Sequence, residues 1–129
     1  MRHRSASPYE EQIGFSRAIR VGTRILVSGS APIGPDGKTV RGGVAEQAKR
    51  CFAILTEAIE TLGGTAADVV RTRIYLVRAG DADVVGRMHA EAFRDARPAA
   101  TMVVVAGLLD SAWLIEAEAE AEIGVRPEP

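Results

Sequence analysis

The sequence predicts an α+β fold, a β-β-α-β-α-β-β sheet with two helices packed on one face. Three observations carry that reading. The stretch from Gly14 to Val21 alternates apolar and polar residues and is followed at once by a second short apolar run. Between Val44 and Leu62 the apolar spacing changes to three or four residues, the period of a helix. Near the end, Glu116-Ala117-Glu118-Ala119-Glu120-Ala121-Glu122 alternates without a break.

Taken in order, residues 1–12 are polar and read as a flexible N-terminal segment, with a single domain over 13–125. In the first strand Phe15, Arg17, Ile19 and Val21 share one face. Val21-Gly22-Thr23-Arg24 makes a turn, and Ile25-Leu26-Val27 returns as the second strand of a hairpin. Gly29 to Gly37 is a loop rich in turn residues. The first helix buries Ala48, Cys51 or Phe52, Leu55, Ala58 or Ile59, and Leu62, and Gly63-Gly64 stops it. Val69–Val77 is a β-branched strand. Asp81 opens a second helix whose apolar face holds Val84 or Val85, Met88, Ala92 and Phe93, and Pro98 ends it. Met102 to Ala106 is apolar and strand-like, with a turn at Gly107-Leu108-Leu109-Asp110.

The last segment sets two rules against each other. Alanine and glutamate favour helix. On a helix, however, an every-second-residue pattern scatters carboxylates around the whole circumference, whereas a strand puts them all on one face. Like charges in a row then need cations opposite. Arg17, Arg20, Arg71 and Arg73 lie on predicted strands, so 116–122 is assigned as a strand.

Composition narrows the function. With 129 residues the chain is one domain, able to bury roughly two-thirds of its unfolded surface. Its 16 Lys and Arg against 17 Asp and Glu give no basic excess, which argues against a nucleic-acid partner bound through phosphates. A lone cysteine, Cys51, rules out an internal disulfide and fits a reducing compartment. No apolar h-region and no apolar run of about 20 residues is visible, so no membrane partner is expected and the cytoplasm is the expected location. Two distant histidines, His3 and His89, with no second cysteine imply no metal, and no phosphate-loop motif is present, so no cofactor is expected. Aromatic residues are few, and a small aliphatic core of this kind gives a weak expectation of oligomerisation.

Gly29, Asp68-Val69-Val70-Arg71-Thr72, Pro98-Ala99 and Ile115-Glu116, in that order, make the chain resemble the RidA/YjgF/YER057c/UK114 family from about Gly14 to Glu122. The resemblance implies a chorismate-mutase-like fold, a homotrimer, and small-molecule ligands in clefts between subunits. It also implies hydrolysis of imines and enamines, such as 2-aminoacrylate, to keto acids and ammonia. Family deaminases carry Pro-Ala-Arg-Ser where this chain has Pro98-Ala99-Ala100-Thr101, so the arginine that clamps the substrate carboxylate is replaced by Ala100. The family's pocket tyrosine falls on Phe15, and a reactive cysteine of some members falls on Met102. Ser28-Gly29 and the water-orienting Glu116 are retained. A ribonuclease label carried by some relatives finds no support in the near-neutral charge.

The candidate catalytic residue is therefore Glu116, as a base or an anchor for water. Phe15, Ser28, Gly29, Ala100 and Met102 are the candidate binding residues. Arg17 and Arg73 are the arginines placed to supply the missing clamp, since a guanidinium fork binds a carboxylate through two hydrogen bonds. The plainer and preferred reading is that both balance the glutamate row. Without the arginine the pocket is larger, more apolar and net negative, so its expected ligand is neutral or cationic and not a small 2-imino carboxylate. The other function in play is a non-catalytic trimer that binds a small metabolite.

Overall fold

A computed structural model describes residues 1–5 and 7–124. The elements are β1 (Arg2–His3), α1 (Tyr9–Ile13), β2 (Ala18–Val21), β3 (Arg24–Ser30), α2 (Val44–Thr61), β4 (Val69–Leu76), α3 (Ala82–Ala92), β5 (Ala99–Val104) and β6 (Ile115–Glu122). The β-β-α-β-α-β-β core order is present, preceded by a short strand and a short helix in residues 1–13. The expected domain end at 125 lies outside the described residues.

The six strands form one sheet in the order β1-β2-β3-β6-β4-β5. β4 and β5 run parallel, joined through α3, and the other pairs are antiparallel. In β6 the alternation becomes two faces. Ala117, Ala119 and Ala121 are buried, while the intervening glutamates are half-buried. Alanine is small enough for α2 to lie close over the sheet, and α2 supplies Ala48, Cys51, Phe52, Leu55, Ala58 and Ile59 to the core. Glu46 caps α2 by accepting a hydrogen bond from the Gly43 amide at 2.9 Å. On the glutamate face Arg73 pairs with Glu118 at 3.6 Å and Glu120 at 3.2 Å, Arg24 pairs with Glu120, and the Tyr75 hydroxyl donates to Glu118.

Residues 1–12 received no secondary structure from the sequence, and here the structure adds two elements. Met1 and Arg17 help bind the backbone of β1 to β2, with Arg17 N–H donating to His3 O at 2.7 Å. Tyr9–Ile13 forms one helical turn between Pro8 and Gly14, and Gly14 takes the left-handed conformation (φ 86°) that lets its N–H close on Glu10 O. Glu10 on this turn is buried.

His89 on α3 is a packed residue. It shares a 2.8 Å hydrogen bond with the Thr72 hydroxyl and stacks edge-on against Phe52, and burial lowers its pKa.

Candidate functional site

The site is built where β3 leaves regular pairing. Val27 faces Ala119 and Ser30 faces Ala117, so β3 carries one extra residue between them. Such a bulge re-aims side chains. Here it brings Ser28 and Gly29 to the rim of a cavity of about 340 Å³ at the end of β2, β3 and β6. Phe15, Arg17, Ser28, Gly29 and Glu116 all line it. The remaining wall is mostly apolar, with Ile13, Ile33, Ile54, Leu109 and Trp113, and also carries Tyr9 and the cation Arg50.

Glu116 is held in place from its own backbone. Gln47, buried on α2, donates to Ala112 O at 2.9 Å and accepts from the Leu114 amide at 2.8 Å, fixing the entry to β6. Trp113 is anchored by its indole N–H on the Thr39 hydroxyl at 3.0 Å and meets Tyr9 edge-on. The Glu116 carboxylate then lies directly over Gly29: a Cβ added there would sit 2.6 Å from Oε2. Glycine is thus what lets the carboxylate approach this closely, since a Cβ would push it aside. Among the described residues the carboxylate has no hydrogen-bond partner. Burial raises its pKa, Arg17 opposes that shift, and Glu118 adds to it.

Arg17 does not balance the glutamate row. Its Nη1 donates to Gly29 O at 2.6 Å and to the Ser30 hydroxyl at 2.9 Å. Its Nε lies 3.4 Å from Glu10 Oε2, an ion pair in which both side chains are about 5% exposed or less. The guanidinium sits 5.3 Å from the centre of the Phe15 ring. Burial lowers the Arg17 pKa, and Glu10 works against that. Glu10 in turn accepts from the Ser5 amide at 2.9 Å and from the Ser5 hydroxyl. Arg73 does balance the row, through Glu118 and Glu120, and is not part of the cavity wall.

Ala100 and Met102 also lie away from this cavity. They pair with Thr72 and Ile74 on the edge strand β5, with β6 and β4 between them and β3. Glu10, Tyr9, Ile13 and Arg50 were not singled out in the sequence. The Pro8 and Gly14 brackets of a helical turn were the available signal for the first three.

The profile of the Endoribonuclease L-PSP family matches residues 6–123. The chain belongs to this family, known also as YjgF/YER057c/UK114. A family member from Mycobacterium tuberculosis, Rv2704, has a crystal structure with a TM-score of 0.86 at 35% identity, covering 95% of this chain and 98% of that one. An uncharacterized protein of Streptomyces coelicolor is 41% identical over 123 residues, 95% of this chain and 92% of its own length. The 2-iminobutanoate/2-iminopropanoate deaminase of Homo sapiens is 32% identical over 95 residues, 73% of this chain and 69% of its own. The chorismate-mutase-like fold of the family is the fold of this chain. Among the described residues no helix is long and apolar enough to cross a membrane, and no group of three or more His, Cys, Asp or Glu is arranged to hold a metal.

Proposed function

We propose that this protein is a RidA-like hydrolase that takes a small, carboxylate-free imine or enamine into the Glu116 cavity. The observation that carries the reading is the Glu116 carboxylate, half-buried against Gly29, without a hydrogen-bond partner among the described residues and facing a cavity with a mostly apolar wall. A carboxylate in that state can hold a water and accept its proton as the oxygen adds to the C=N carbon. That proton passes to nitrogen, and as the C–N bond breaks the remaining hydroxyl proton is transferred to the departing nitrogen through the same carboxylate, so the products are a carbonyl compound and an amine or ammonia. Ala100 supplies no clamp for a substrate carboxylate, and charge-assisted hydrogen bonds of about 1.5–3 kcal/mol each are thereby missing.

We further propose a homotrimer whose clefts are completed by a neighbouring subunit. Within one chain Ala100 and Met102 stand on the exposed edge strand, remote from the cavity, and Val103 and Val104 beside them are 42% and 54% exposed. A second copy docked there accounts for both facts.

The test is hydrolysis of N-benzylidenemethylamine, an imine with no carboxylate, against dehydratase-generated 2-aminoacrylate. Wild type is expected to accelerate the first above its spontaneous rate and Glu116→Gln to abolish the acceleration, with Ala100→Arg needed for activity on the second. No acceleration by wild type over Glu116→Gln refutes the catalytic reading. Ligand binding without turnover then favours the second function, a non-catalytic small-molecule-binding trimer, which the absence of the arginine at Ala100 supports.

A further inference from the structure

Two cations line the cavity: Arg50, whose Nε is spent on Ile33 O at 2.7 Å and whose Nη1 faces Glu57 at 3.7 Å, and Arg17, which is buried and already has an internal carboxylate beside it. Arg17 spends Nη1 on Gly29 O and the Ser30 hydroxyl. Its Nε, buried and without an aligned hydrogen bond, faces Glu10 across 3.4 Å. Its Nη2 has no hydrogen-bond partner among the described residues. The side chain is 5% exposed and lines the cavity. Glu10 is fixed in turn by Ser5, so the acid is held in position by the N-terminal segment and does not depend on the arginine alone. The pair therefore offers the cavity a hydrogen-bond donor without a net positive charge. Glu116 reaches the same residue, since Arg17 Nη1 donates to Gly29 O and Glu116 Oε2 closes on the Gly29 Cα position.

We infer that Glu10 determines ligand specificity: by neutralising Arg17 in advance it turns the cavity against carboxylates and toward a neutral, planar, amide-like group, with its carbonyl oxygen on Arg17 and its N–H on Glu116. Amides, ureas and carbamates have this acceptor–donor pair, and so does a vinylogous enamine–carbonyl system. A ligand carboxylate brought to Arg17 would lie beside Glu10 and Glu116 at once, and buried like charges at that separation repel strongly. An amide brings no charge and satisfies a donor and an acceptor that have no partner among the described residues. The inference rests on the Glu116 cavity being the ligand site but not on its catalysing anything.

The experiment compares benzamide with benzoate, matched in shape and differing in charge. Binding to the full chain is followed by chemical-shift changes at the amides of Gly29 and Glu116. Wild type is expected to bind benzamide at least about tenfold more tightly than benzoate at neutral pH. Glu10→Gln, which keeps the shape and the Ser5 contacts but frees the arginine's charge, is expected to move that ratio toward benzoate by about tenfold or more. Arg17→Gln in the same chain is expected to lose benzamide. Equal binding of the two probes by wild type, binding of neither at about 10 mM, or an unchanged ratio in folded Glu10→Gln overturns the inference. If Glu10→Gln does not fold, the wild-type ratio decides alone. Loss of turnover with this selectivity intact would remove the hydrolase reading and leave the inference standing.

Discussion

Gly29→Ala isolates the chemistry of the cavity from the stability of the fold. The added Cβ would lie 2.6 Å from Glu116 Oε2, inside the distance real Cβ atoms show, and ordinary contact begins at 3.4 Å. The carboxylate must therefore retreat by about 0.8 Å. The obstructing atom is the end of a flexible side chain next to open cavity, so the retreat is cheap. The Gly29 backbone is not in the left-handed region, so alanine fits it without strain. Replacing glycine in such a conformation removes unfolded-state freedom and stabilises by about 0.4–1 kcal/mol. The two effects oppose, and urea unfolding should place the variant within about 1 kcal/mol of wild type. A displacement of about 1 Å at a reacting group, by contrast, costs about 100-fold in rate. Imine hydrolysis should therefore fall by that order in a protein of unchanged stability, with the Glu116 pKa drawn toward the ordinary carboxylate value as the group moves outward. Full activity in the folded variant would remove Glu116 from the mechanism. A large stability loss would mean that the glycine is needed by the backbone and not by the carboxylate.

Three further outcomes follow from the charges and the core. Burial raises the Glu116 pKa, so its ionisation costs stability as pH rises from the ordinary carboxylate value through the folded one; Glu116→Gln should be more stable than wild type at neutral pH, with the difference vanishing below about pH 4, checked by denaturant melts across that range. Arg73 is 39% exposed where it meets Glu118 and Glu120, so Arg73→Gln should cost about 1 kcal/mol or less, and less again at high salt; a loss above about 3 kcal/mol would show that the pair is buried against another molecule. Burial, then Glu116, push the Cys51 thiol far up, so a thiol reagent such as DTNB should leave the native protein unmodified and react only on unfolding; rapid reaction of the folded chain would contradict the placement of α2.

The strand at 115–122 shows how far pattern can outrank propensity. Its residues prefer helix, yet alternation alone indicated a strand, because a helix would have spread the carboxylates into the core. In the structure the alanines lie under α2 and two of the glutamates meet Arg73 or Arg24, so tertiary burial and cross-strand charge outweigh the helical preference. The first strand is shorter than the alternation from Gly14 suggests: β2 starts at Ala18, and Phe15 and Arg17 meet ring to guanidinium in the irregular segment before it. Arg24, at the turn in the sequence reading, is paired because β3 starts one residue before the predicted strand. The N-terminal segment was illegible for a different reason. Glu10 pairs with an arginine seven residues on only because a helical turn, closed by Gly14, folds the chain back, and no local period encodes that ion pair.

The arginine at position 17 changes what the alanine at position 100 means. Read along the chain, a missing guanidinium leaves a cavity with Glu116 and no cation. In space a guanidinium is present, but its charge is answered by Glu10 before any ligand arrives. The cavity thus keeps a buried hydrogen-bond donor whose charge is already answered, with Glu116 and Arg50 as the other charged groups in its wall. A free cation there would attract any small anion and would pull the Glu116 pKa down, making it a weaker base. Glu116 keeps a raised pKa next to a guanidinium because burial outweighs the attraction from Arg17, with Glu118 adding to the rise. Basicity at Glu116 and rejection of carboxylates thus have separate structural causes, burial for the first and the acid at position 10 for the second, and a substitution at Glu10 should alter the second.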